Sequence, residues 1–584
     1  MIPSANPFLY APTGGDWLRI LPELIVLGAA LAVLLADLGP GGTARKGWLA
    51  LIGLAGVVAA VVAAVLLFAN GPQGSAFYDM VTADKAALFA DVVILFALGL
   101  GLLFSPGYIE RQGVTQIGEY YALLLVAGLG MMLMASATNL MIVFVGLEAL
   151  SLALYVLSAY IVYRPRSQEA GFKYFILSSF ASAFLLYGMS LTYGSTGSTN
   201  LAAIRAFLDT HPFAPASGYG PLLLAALALM AVGFCFKVSA VPFQAWVPDV
   251  YVGAPTSVTA FMSVGTKVAA FVALARVFVV ALNPVVPQWT PVLWTVAVLT
   301  MIGGNIMAVT QRDVKRMLAY SSVANAGYML VAIVTATPLA LASLLVYLAT
   351  YAAMNMGAFG VVLALERNDG LGTTLDDYAG LARRRPGMAA VMAVFLFSLA
   401  GVPLLAGFVG KYYVFYAAIV GSHLELAIIG VLTSAIGLFY YLRVIWAMYF
   451  QEPRAIPATT LAGAPFAVMP IEPARATEPV LAGAAAASAG AAPLTATTVV
   501  ATPDTGAYFA PEPVAAESQA ATGGPRFVAA TGPRTVAQAA AQPRGVAPGT
   551  WLGLALALVA TIVLGIVPAG LVDLAVQAAN ALMR

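Results

Sequence analysis

The chain has 584 residues, of which 61% are hydrophobic and only 9% are charged, and its formal net charge is +2. A soluble globular domain is nearer half apolar and a quarter charged, so this composition excludes a water-soluble enzyme, and the small net charge excludes a nucleic-acid binder. One cysteine (Cys235) and two histidines (His211 and His423) exclude iron–sulfur clusters, thiolate metal sites and multi-histidine centres in this chain. We therefore expect a membrane protein without a redox group of its own.

Apolar runs of about 20 residues, the length that crosses a bilayer as a helix, recur along the chain. The runs are continuous rather than alternating, and backbone groups in lipid must bond internally, so we predict helices rather than a barrel. The fourteen predicted spans cover residues 17–38, 48–69, 86–104, 119–136, 139–161, 170–194, 219–240, 255–281, 291–310, 314–334, 339–365, 387–419 (with a break), 424–450 and 550–578.

Residues 452–549 interrupt this pattern and are rich in Ala, Pro, Thr and Gly. The Ala-rich run 479–493 is too weakly apolar to predict a further span. Because the segment has few bulky apolar residues with which to build a core, we predict a flexible or loosely surface-bound cytoplasmic insert. A tolerated linker is the simplest explanation for it.

Lysine and arginine in the short loops predict the orientation in the membrane. Loops after even-numbered spans carry only Lys85 and Arg205. We therefore place the odd-numbered loops in the cytoplasm and both termini on the periplasmic side. The residues after odd-numbered spans are Arg45, Lys46, Arg111, Arg164, Arg166, Arg312, Lys315, Arg316, Arg367, Arg383, Arg384 and Arg385.

Five charged residues fall inside predicted spans. Four of the seven lysines do so, namely Lys173, Lys237, Lys267 and Lys411, together with Glu148. A basic residue at the bilayer centre costs about 2.5–3.5 kcal/mol even on the lenient insertion scale, so such residues usually mark ion paths or proton relays. Lysine suits a relay because desolvation lowers the pKa of its amine from about 10.4, while a nearby carboxylate raises it again. We predict a relay with Glu148 as the negative partner.

Two structural explanations of these charges stay open. A lysine near a helix end can snorkel to the interface, which fits Lys315 and partly fits Lys173, but fits Lys237 and Lys267 poorly. A static ion pair between Glu148 and Lys173 would account for two residues and leave three lysines without a partner.

Two of the lysines lie beside predicted helix breaks. Pro242 follows Lys237, and two more prolines follow in the same run, so the seventh span cannot continue as one helix. Lys411 follows Gly401 and Pro403 in the twelfth span. A break inside the membrane exposes unpaired carbonyls and helix-dipole ends. Both breaks contain Val-Pro and lie five spans apart, which suggests an inverted five-helix repeat.

The chain resembles the antiporter-like subunits of the proton-pumping NADH:quinone oxidoreductase (respiratory complex I), a family similar to cation/proton antiporter subunits. The block 237–271 is the most specific, since it combines a lysine, a double proline break and a second lysine. Lys411, where the M-type subunits have glutamate, indicates the N-type branch. The segments that carry the resemblance are FVGLEALSLALYVLSAY (144–160), EAGFKYFILSSFASAFLLYG (169–188), KVSAVPFQAWVPDVYVGAPTSVTAFMSVGTKVAAF (237–271), RDVKRMLAYSSVANAGYML (312–330) and GLFYYLRVIWAMY (437–449).

The resemblance implies an all-α polytopic fold of fourteen transmembrane helices with helices 7 and 12 broken. A three-helix segment (1–118) would precede two inverted five-helix repeats, helices 4–8 in 119–281 and helices 9–13 in 291–450. The insert and a C-terminal transmembrane helix in 550–584 would follow.

The resemblance also implies residue roles. Glu148 and Lys173 would form a coupling pair, Lys237 a proton store beside the first break, Lys267 a central relay and Lys411 the terminal lysine on the exit side.

Further roles follow from the same resemblance. Glu119 would serve proton uptake at the cytoplasmic edge, and Pro242 and Pro403 would mark the breaks. Relatives often have histidine where this chain has Gln244, and a glutamine orders water but cannot take up a proton.

The implied function is proton translocation coupled to quinone reduction in other subunits of a bacterial inner-membrane complex. The implied partners are its membrane and peripheral subunits, neighbouring antiporter-like subunits and lipids, with quinone bound elsewhere and no nucleic acid. FMN and iron–sulfur clusters would belong to partner subunits, and this chain would hold no metal or cofactor. An Mrp-type cation/proton antiporter subunit and a structural scaffold are the alternatives, although a scaffold has no use for costly buried lysines.

Overall fold

The computed structural model describes residues 12–39, 47–114, 117–215, 218–367, 370, 372–452 and 546–583. Within them the chain is almost entirely helical, and one antiparallel hairpin, β1 (Ser75–Ala76) and β2 (Val81–Thr82), joins two helices. Only the outermost residues of the predicted insert 452–549 are described. The rest of the insert, including the run 479–493, lies outside the described residues.

The first half of the chain forms helices on both sides of the hairpin. They are α1 (Gly14–Arg19), α2 (Leu21–Asp37), α3 (Leu49–Asn70), α4 (Lys85–Arg111), α5 (Gly118–Ala135), α6 (Leu140–Ser158), α7 (Pro165–Thr196), α8 (Leu201–Thr210), α9 (Gly220–Val238), α10 (Trp246–Gly253) and α11 (Thr256–Leu274), which continues as a π-helix (Ala275–Ala281).

The second half begins after a 3₁₀ turn (Asn283–Val285). Its helices are α12 (Val286–Val309), α13 (Val314–Thr335), α14 (Pro338–Leu365), α15 (Leu375–Tyr378), α16 (Leu381–Arg384), α17 (Pro386–Ala400), α18 (Ala406–Val420), α19 (Leu424–Phe450), α20 (Pro548–Ile566) and α21 (Ala569–Met583).

Among the described residues, twelve helices are long and apolar enough to cross a membrane. Every predicted span overlaps one helix or two consecutive helices, but α2, with 17 residues, and the halves α17 and α18, with 15 each, are shorter than a full span. The chain is therefore a multi-pass, all-helical membrane protein.

Both predicted helix breaks are present. The seventh span ends at Val238, followed by Ser239 in the left-handed region (φ 69°), and the chain becomes helical again at Trp246. The twelfth span ends at Ala400, followed by Gly401 with φ 91°, where a residue with a Cβ would be strained.

The first and last spans differ from their predicted bounds. The span at 17–38 is divided between α1 and α2, and the span at 550–578 is divided between α20 and α21 at Pro568. The proline explains the second division, because the residue before a proline is disfavoured in the helical region, and Val567 has φ −125° and ψ 68°.

Three helices form the centre of the bundle. In the apolar windows of α11 with its π-helical end, α13 and α14, 94% of the residues are buried, against 33% in α3 and 28% in α20. The outer helices therefore present apolar side chains to lipid, whereas the central helices pack against protein on all sides and hold the polar groups described below.

Candidate functional site

Three of the four predicted intramembrane lysines lie in the protein interior. Lys237 in α9 is 2% exposed, Lys267 in α11 is fully buried and Lys411 in α18 is 6% exposed. Each ammonium donates to a serine hydroxyl and lies within 6 Å of the centroid of a tyrosine ring. Within the described part of the chain none of the three pairs with a carboxylate. The same unit of lysine, serine and tyrosine thus occurs three times.

Lys237 occupies the last turn of α9, next to the first break. Its Nζ donates to Ser151 Oγ of α6 at 2.7 Å and lies 5.6 Å from the centroid of the Tyr174 ring of α7. Ser151 donates in turn to the Leu147 carbonyl, so its lone pairs are free to accept from the lysine. An ammonium has three donors. Because Ser151 is its single hydrogen-bond partner among the described residues, Lys237 is the least saturated of the three lysines.

Lys267 lies in the middle of α11, the most enclosed part of the bundle. Its Nζ donates to both the carbonyl and the hydroxyl of Ser322 in α13. The Tyr351 ring of α14 lies 5.8 Å from the same ammonium. This lysine therefore connects the three central helices through neutral groups.

Lys411 binds the helix end that the second break exposes. Its Nζ donates to the carbonyls of Leu399 (2.9 Å) and Ala400 (3.0 Å) at the end of α17, and to Ser434 Oγ of α19 (2.8 Å). The Tyr328 ring lies 5.2 Å away. The negative end of the α17 dipole thus compensates the ammonium, as expected for a cation at a helix C-terminus.

The surroundings of Lys411 open towards the exterior of the protein. A Cβ on Gly401 would lie 3.1 Å from Lys411 Cδ, so the glycine makes room for the lysine. Lys411 and Ser434 line a cavity of about 390 Å³ together with Tyr412 and Tyr416, which are 53% and 45% exposed. Among the three lysines, Lys411 is therefore the one placed for exchange with the exterior.

A set of polar side chains begins beside Lys267. Ser321, the neighbour of its partner Ser322, shares a hydrogen bond of 2.5 Å with the Tyr441 hydroxyl. Asn325 Nδ2 donates to the Ser321 carbonyl at 2.8 Å, and the Tyr347 hydroxyl donates to Asn325 Oδ1 at 2.7 Å.

The set continues to Lys411. The Tyr440 and Tyr441 rings lie 4.4 Å apart between centroids, and the Tyr440 hydroxyl donates to Asn305 Oδ1 at 3.2 Å. Asn305 Nδ2 donates to the hydroxyl of Tyr328, whose ring lies next to the Lys411 ammonium. Hydroxyl and amide groups thus extend from Ser321, next to the partner of Lys267, to the tyrosine beside Lys411.

The sequence analysis did not single out this set. The sequence does contain a signal for this set. Polar residues recur at spacings of four and three within one apolar span and so share a helix face, namely Ser321, Asn325 and Tyr328.

Aromatic side chains fill the region between Lys237 and Lys267. Tyr174 stacks on Trp246 with centroids 4.7 Å apart, Trp246 contacts Tyr251 edge-on at 6.1 Å, and Tyr251 lies beside Ser322. The hydroxyl of Tyr174 is buried, and no described residue bonds to it. Since buried polar groups normally bond to protein or ordered water, this region offers hydration sites.

The residues at the breaks lie at the edge of this region. Gln244 is half-buried, and its Oε1 is buried without a partner among the described residues. Pro242 and Pro403 are exposed. That Gln244 orders water stays a prediction.

The alternative of a static ion pair between Glu148 and Lys173 is wrong, whereas their role as a coupling pair stays a prediction. Lys173 Nζ pairs with Glu169 at 2.6 Å and with Asp249 at 2.8 Å, and its side chain is 38% exposed. Helical side chains lean towards the N-terminus, so Lys173 reaches Glu169 one turn earlier rather than the membrane centre. Glu148 is half-buried, has an unpartnered Oε1 within the described chain, and acts electrostatically on Lys237.

The expectation that Lys315 snorkels is also wrong. Lys315 is 3% exposed and donates to the carbonyls of Val252 (3.2 Å) and Ala254 (2.8 Å) at the end of α10. Other cations bind helix C-terminal carbonyls in the same way, which satisfies groups that a helix leaves unpaired. They are Arg276 to Ala135 (2.8 Å), Arg443 to Val309 (2.8 Å) and Arg111 to Leu363 (3.0 Å).

The carboxylates near the ends of the helices differ in exposure. Glu119, the predicted uptake residue, is exposed in the first turn of α5. Glu366, which the sequence analysis did not consider because it follows a span, is 5% exposed. It accepts from the Tyr108 hydroxyl (3.1 Å) and the Thr256 hydroxyl, and pairs with Arg164 (3.5 Å). Glu366 therefore ties several helices together.

Two carboxyls in the N-terminal helices are buried away from the lysines. Glu23 in α2 is 4% exposed and Asp91 in α4 is 1% exposed, and they act electrostatically on each other. Each has an oxygen without a partner among the residues described. The sequence analysis overlooked this second buried titratable pair, because both residues stand singly within apolar runs.

A bidentate ion pair joins α4 to the π-helical end of α11. Arg276 donates to both oxygens of Asp84, at 2.7 Å each. Burial alone would raise the pKa of the Asp84 carboxyl, but the charge and hydrogen bonds of Arg276, with the amides of Ala86 and Ala87, outweigh burial and hold that pKa below its ordinary value.

The lowered pKa of Asp84 predicts that the folded chain loses stability in acid. A carboxyl whose folded-state pKa is lowered contributes stability above its unfolded value of about 3.9, and that contribution is lost as the pH falls through the folded value. We expect the Tm of the wild type to fall more steeply than that of Asp84→Asn as the pH is lowered below about 5. Thermal unfolding in detergent across this range measures the difference, and parallel curves for the two proteins would contradict it.

These observations first define a class. A bundle of membrane-length helices with two broken helices and a series of buried lysines is a polytopic membrane protein of the kind that moves ions. In the described ranges, no three His, Cys, Asp or Glu side chains come together as a metal-binding group.

Comparison with known proteins identifies the family. The model of the family described as NADH:quinone oxidoreductase/Mrp antiporter, transmembrane, matches residues 137–437. NADH-quinone oxidoreductase subunit N of Trichlorobacter lovleyi is 45% identical over 432 residues, which cover 74% of this chain and 87% of that protein. The chain belongs to the NADH-quinone oxidoreductase subunit N family.

Two solved structures share the fold. A chain of respiratory complex I from Thermus thermophilus with bound aureothin is 34% identical, has a TM-score of 0.61, and the match covers 74% of this chain and 91% of that one. A chain of the Mrp complex from Dietzia sp. is 20% identical with a TM-score of 0.71 and 98% coverage of both chains, which is a likeness of fold alone.

Proposed function

We propose that this chain is the proton-translocating membrane subunit N of a NADH:quinone oxidoreductase. The names of its relatives support membership of this complex. The unit of lysine, serine and tyrosine, which occurs three times and contains no carboxylate, supports proton transfer. A buried ammonium compensated by neutral groups is costly to keep charged, so loss and gain of its proton are closer in free energy than at the surface.

Proton movement follows the three lysines. A change arriving from a neighbouring subunit shifts Glu148 relative to Lys237 and alters the proton affinity of Lys237. Hydration around the Tyr174 hydroxyl passes the proton to Lys267. The amide and hydroxyl set of α12, α13 and α19 then leads to Lys411, whose cavity releases it.

Lys173 and Glu119 act at the uptake side of this path. Lys173, with Asp249 and Glu169, forms a charged cluster beside α10, the segment that follows the first break. We therefore propose that the coupling step involves Glu148 and Lys237, and that Lys173 holds α10 in place. Gln244 orders water at the break.

The same proposal includes the finer architecture. Fourteen transmembrane helices form an N-terminal three-helix segment, two inverted five-helix repeats and a C-terminal helix. The repeats comprise α5, α6, α7, α9/α10 and α11, and then α12, α13, α14, α17/α18 and α19. In both sets the fourth member is the broken helix, which supports the repeat.

Location and partners follow from the family. The chain lies in a bacterial inner membrane with both termini periplasmic and the insert 452–549 cytoplasmic. Neighbouring antiporter-like subunits adjoin it, and FMN, iron–sulfur clusters and the bound quinone belong to other subunits.

Gentle purification tests the assembly. We expect the tagged chain to co-purify with flavin and iron–sulfur absorbance and with NADH:quinone reductase activity that acidifies the outside of the cells or, in inverted vesicles, the lumen. The chain alone in liposomes should show no sodium-dependent proton flux.

The opposite result favours the Mrp-type alternative. Sodium-driven proton flux by the chain alone, with no flavin in any purified assembly, would contradict the proposal. The matched control is a parallel purification through a tagged soluble subunit of the same complex. It shows whether the peripheral subunits are lost during purification.

A further inference from the structure

An apolar groove lies on the lipid-facing side of the bundle, between α3, α4, α14, α20 and α21. Its volume is about 290 Å³ and its lining side chains are all apolar. A small hydrophobic cluster of Ala64, Leu67 and Leu88, separate from the main core, lies at its edge. Its lining includes Phe68, Leu88, Val92, Phe96 and Ala560.

The groove runs along the helices rather than across them. Leu88, Val92 and Phe96 follow one another on one face of α4, and eight residues of helix correspond to about 12 Å. Leu88 lies in the first turn of α4, so the groove begins near the membrane surface and extends towards the bilayer centre. This shape fits a linear hydrocarbon chain.

A lysine stands at the outer end of the groove. Lys85 Nζ lies 5.2 Å from the centroid of the Phe68 ring and donates to Gln577 Oε1 of α21 at 2.8 Å. Both partners are neutral. The nearest carboxylate in sequence, Asp84, is committed to Arg276 through both of its oxygens.

The charge of Lys85 is therefore uncompensated within the described chain. Asp573, one turn before Gln577 on α21, makes no ion pair with it among the described residues. Arg205, a further cation on this side, does have a carboxylate, Asp209, at 3.7 Å. Lys85 is thus a positive charge at the membrane interface with one neutral hydrogen-bond partner.

We propose that this groove binds one anionic phospholipid, with its phosphate at Lys85 and one acyl chain along α4. The apolar lining excludes polar ligands, and the cation at the mouth distinguishes an anionic amphiphile from a zwitterionic one. A lysine near a membrane surface contributes about 1 kcal/mol to binding of anionic lipid, which corresponds to about fivefold in affinity.

Native mass spectrometry of the full-length chain tests the proposal. The delipidated chain is titrated with phosphatidylglycerol or with phosphatidylcholine of the same acyl chains. We expect the wild type to retain one phosphatidylglycerol with at least about fivefold preference over phosphatidylcholine. Lys85→Gln should lose the preference, whereas Ala560→Phe, which fills the groove and keeps the lysine, should lose retention of both lipids.

Arg205→Gln is the matched control, since it removes a different cation on the same side and should bind as the wild type does. Equal retention of the two lipids by the wild type, or unchanged binding by Lys85→Gln and Ala560→Phe, would overturn the proposal, and another occupant of the groove would then be indicated. If a variant folds poorly, the wild-type Tm decides: phosphatidylglycerol should raise it by more than phosphatidylcholine does, and equal shifts would overturn the site.

Discussion

Lys237→Met is expected to lower NADH-driven quinone reduction and proton pumping of the assembled complex at least about tenfold, because a positioned proton donor contributes more than this. The reason lies in the immediate contacts of Lys237. Of the three buried lysines, Lys237 is the one with a single hydrogen-bond partner among the described residues, and a carboxylate, Glu148, acts on it. Methionine fills similar space but holds no proton, and reconstituted vesicles report turnover and pumping together.

Lys237→Arg distinguishes proton exchange from a fixed charge. A guanidinium keeps its proton in proteins, so this variant should also fail although it preserves the cation. Ser151→Ala, which removes the single hydrogen-bond acceptor, should reduce activity less, and Glu148→Gln should slow turnover by removing the charge that acts on the lysine. Normal pumping by the arginine variant in a fully assembled complex would refute a relay through Lys237.

Arg276→Met is expected to destabilise the folded chain by about 3–5 kcal/mol, because it removes one partner of a buried ion pair. Asp84 would be left without its bidentate partner, and the Ala135 carbonyl at the end of α5 would lose a donor. Thermal or detergent-induced unfolding of the purified chain measures the loss.

The double variant Asp84→Asn/Arg276→Met supplies the control. Since the amide carries no charge to strand, the double variant should be more stable than Arg276→Met alone, and the cycle gives the coupling between the two side chains. If Arg276→Met unfolds within about 0.5 kcal/mol of the wild type, as ordinary surface changes do, the pair is not structural.

The helices followed from the sequence because the relevant signal is local. A run of apolar residues must be helical in lipid, and Pro242 and Gly401 mark positions where no regular helix continues. The burial of Lys237, Lys267 and Lys411 followed from the same runs. Where a proline interrupted a run, as at Pro568, the division of the last span could also have been read from the sequence.

The partners of the lysines could not be predicted in this way. Lys173 was assigned to Glu148, yet it pairs with a carboxylate on its own helix and with Asp249 on α10, whose position depends on the course of the chain after the first break. The burial of Lys315 could not be predicted, because the carbonyls that it binds lie 61 and 63 residues earlier in the sequence. Neutral acceptors leave no charge pattern in a sequence.

Binding of interior cations to the ends of neighbouring helices has a consequence for reversibility. When a lysine that is paired with an aspartate releases its hydrogen ion, the aspartate is left as an unpaired anion in a medium that solvates it poorly. Lys411 faces peptide dipoles instead, and these cannot titrate. Its discharge therefore strands no counter-charge, and the segment can alternate between two charge states while the surrounding scaffold stays the same.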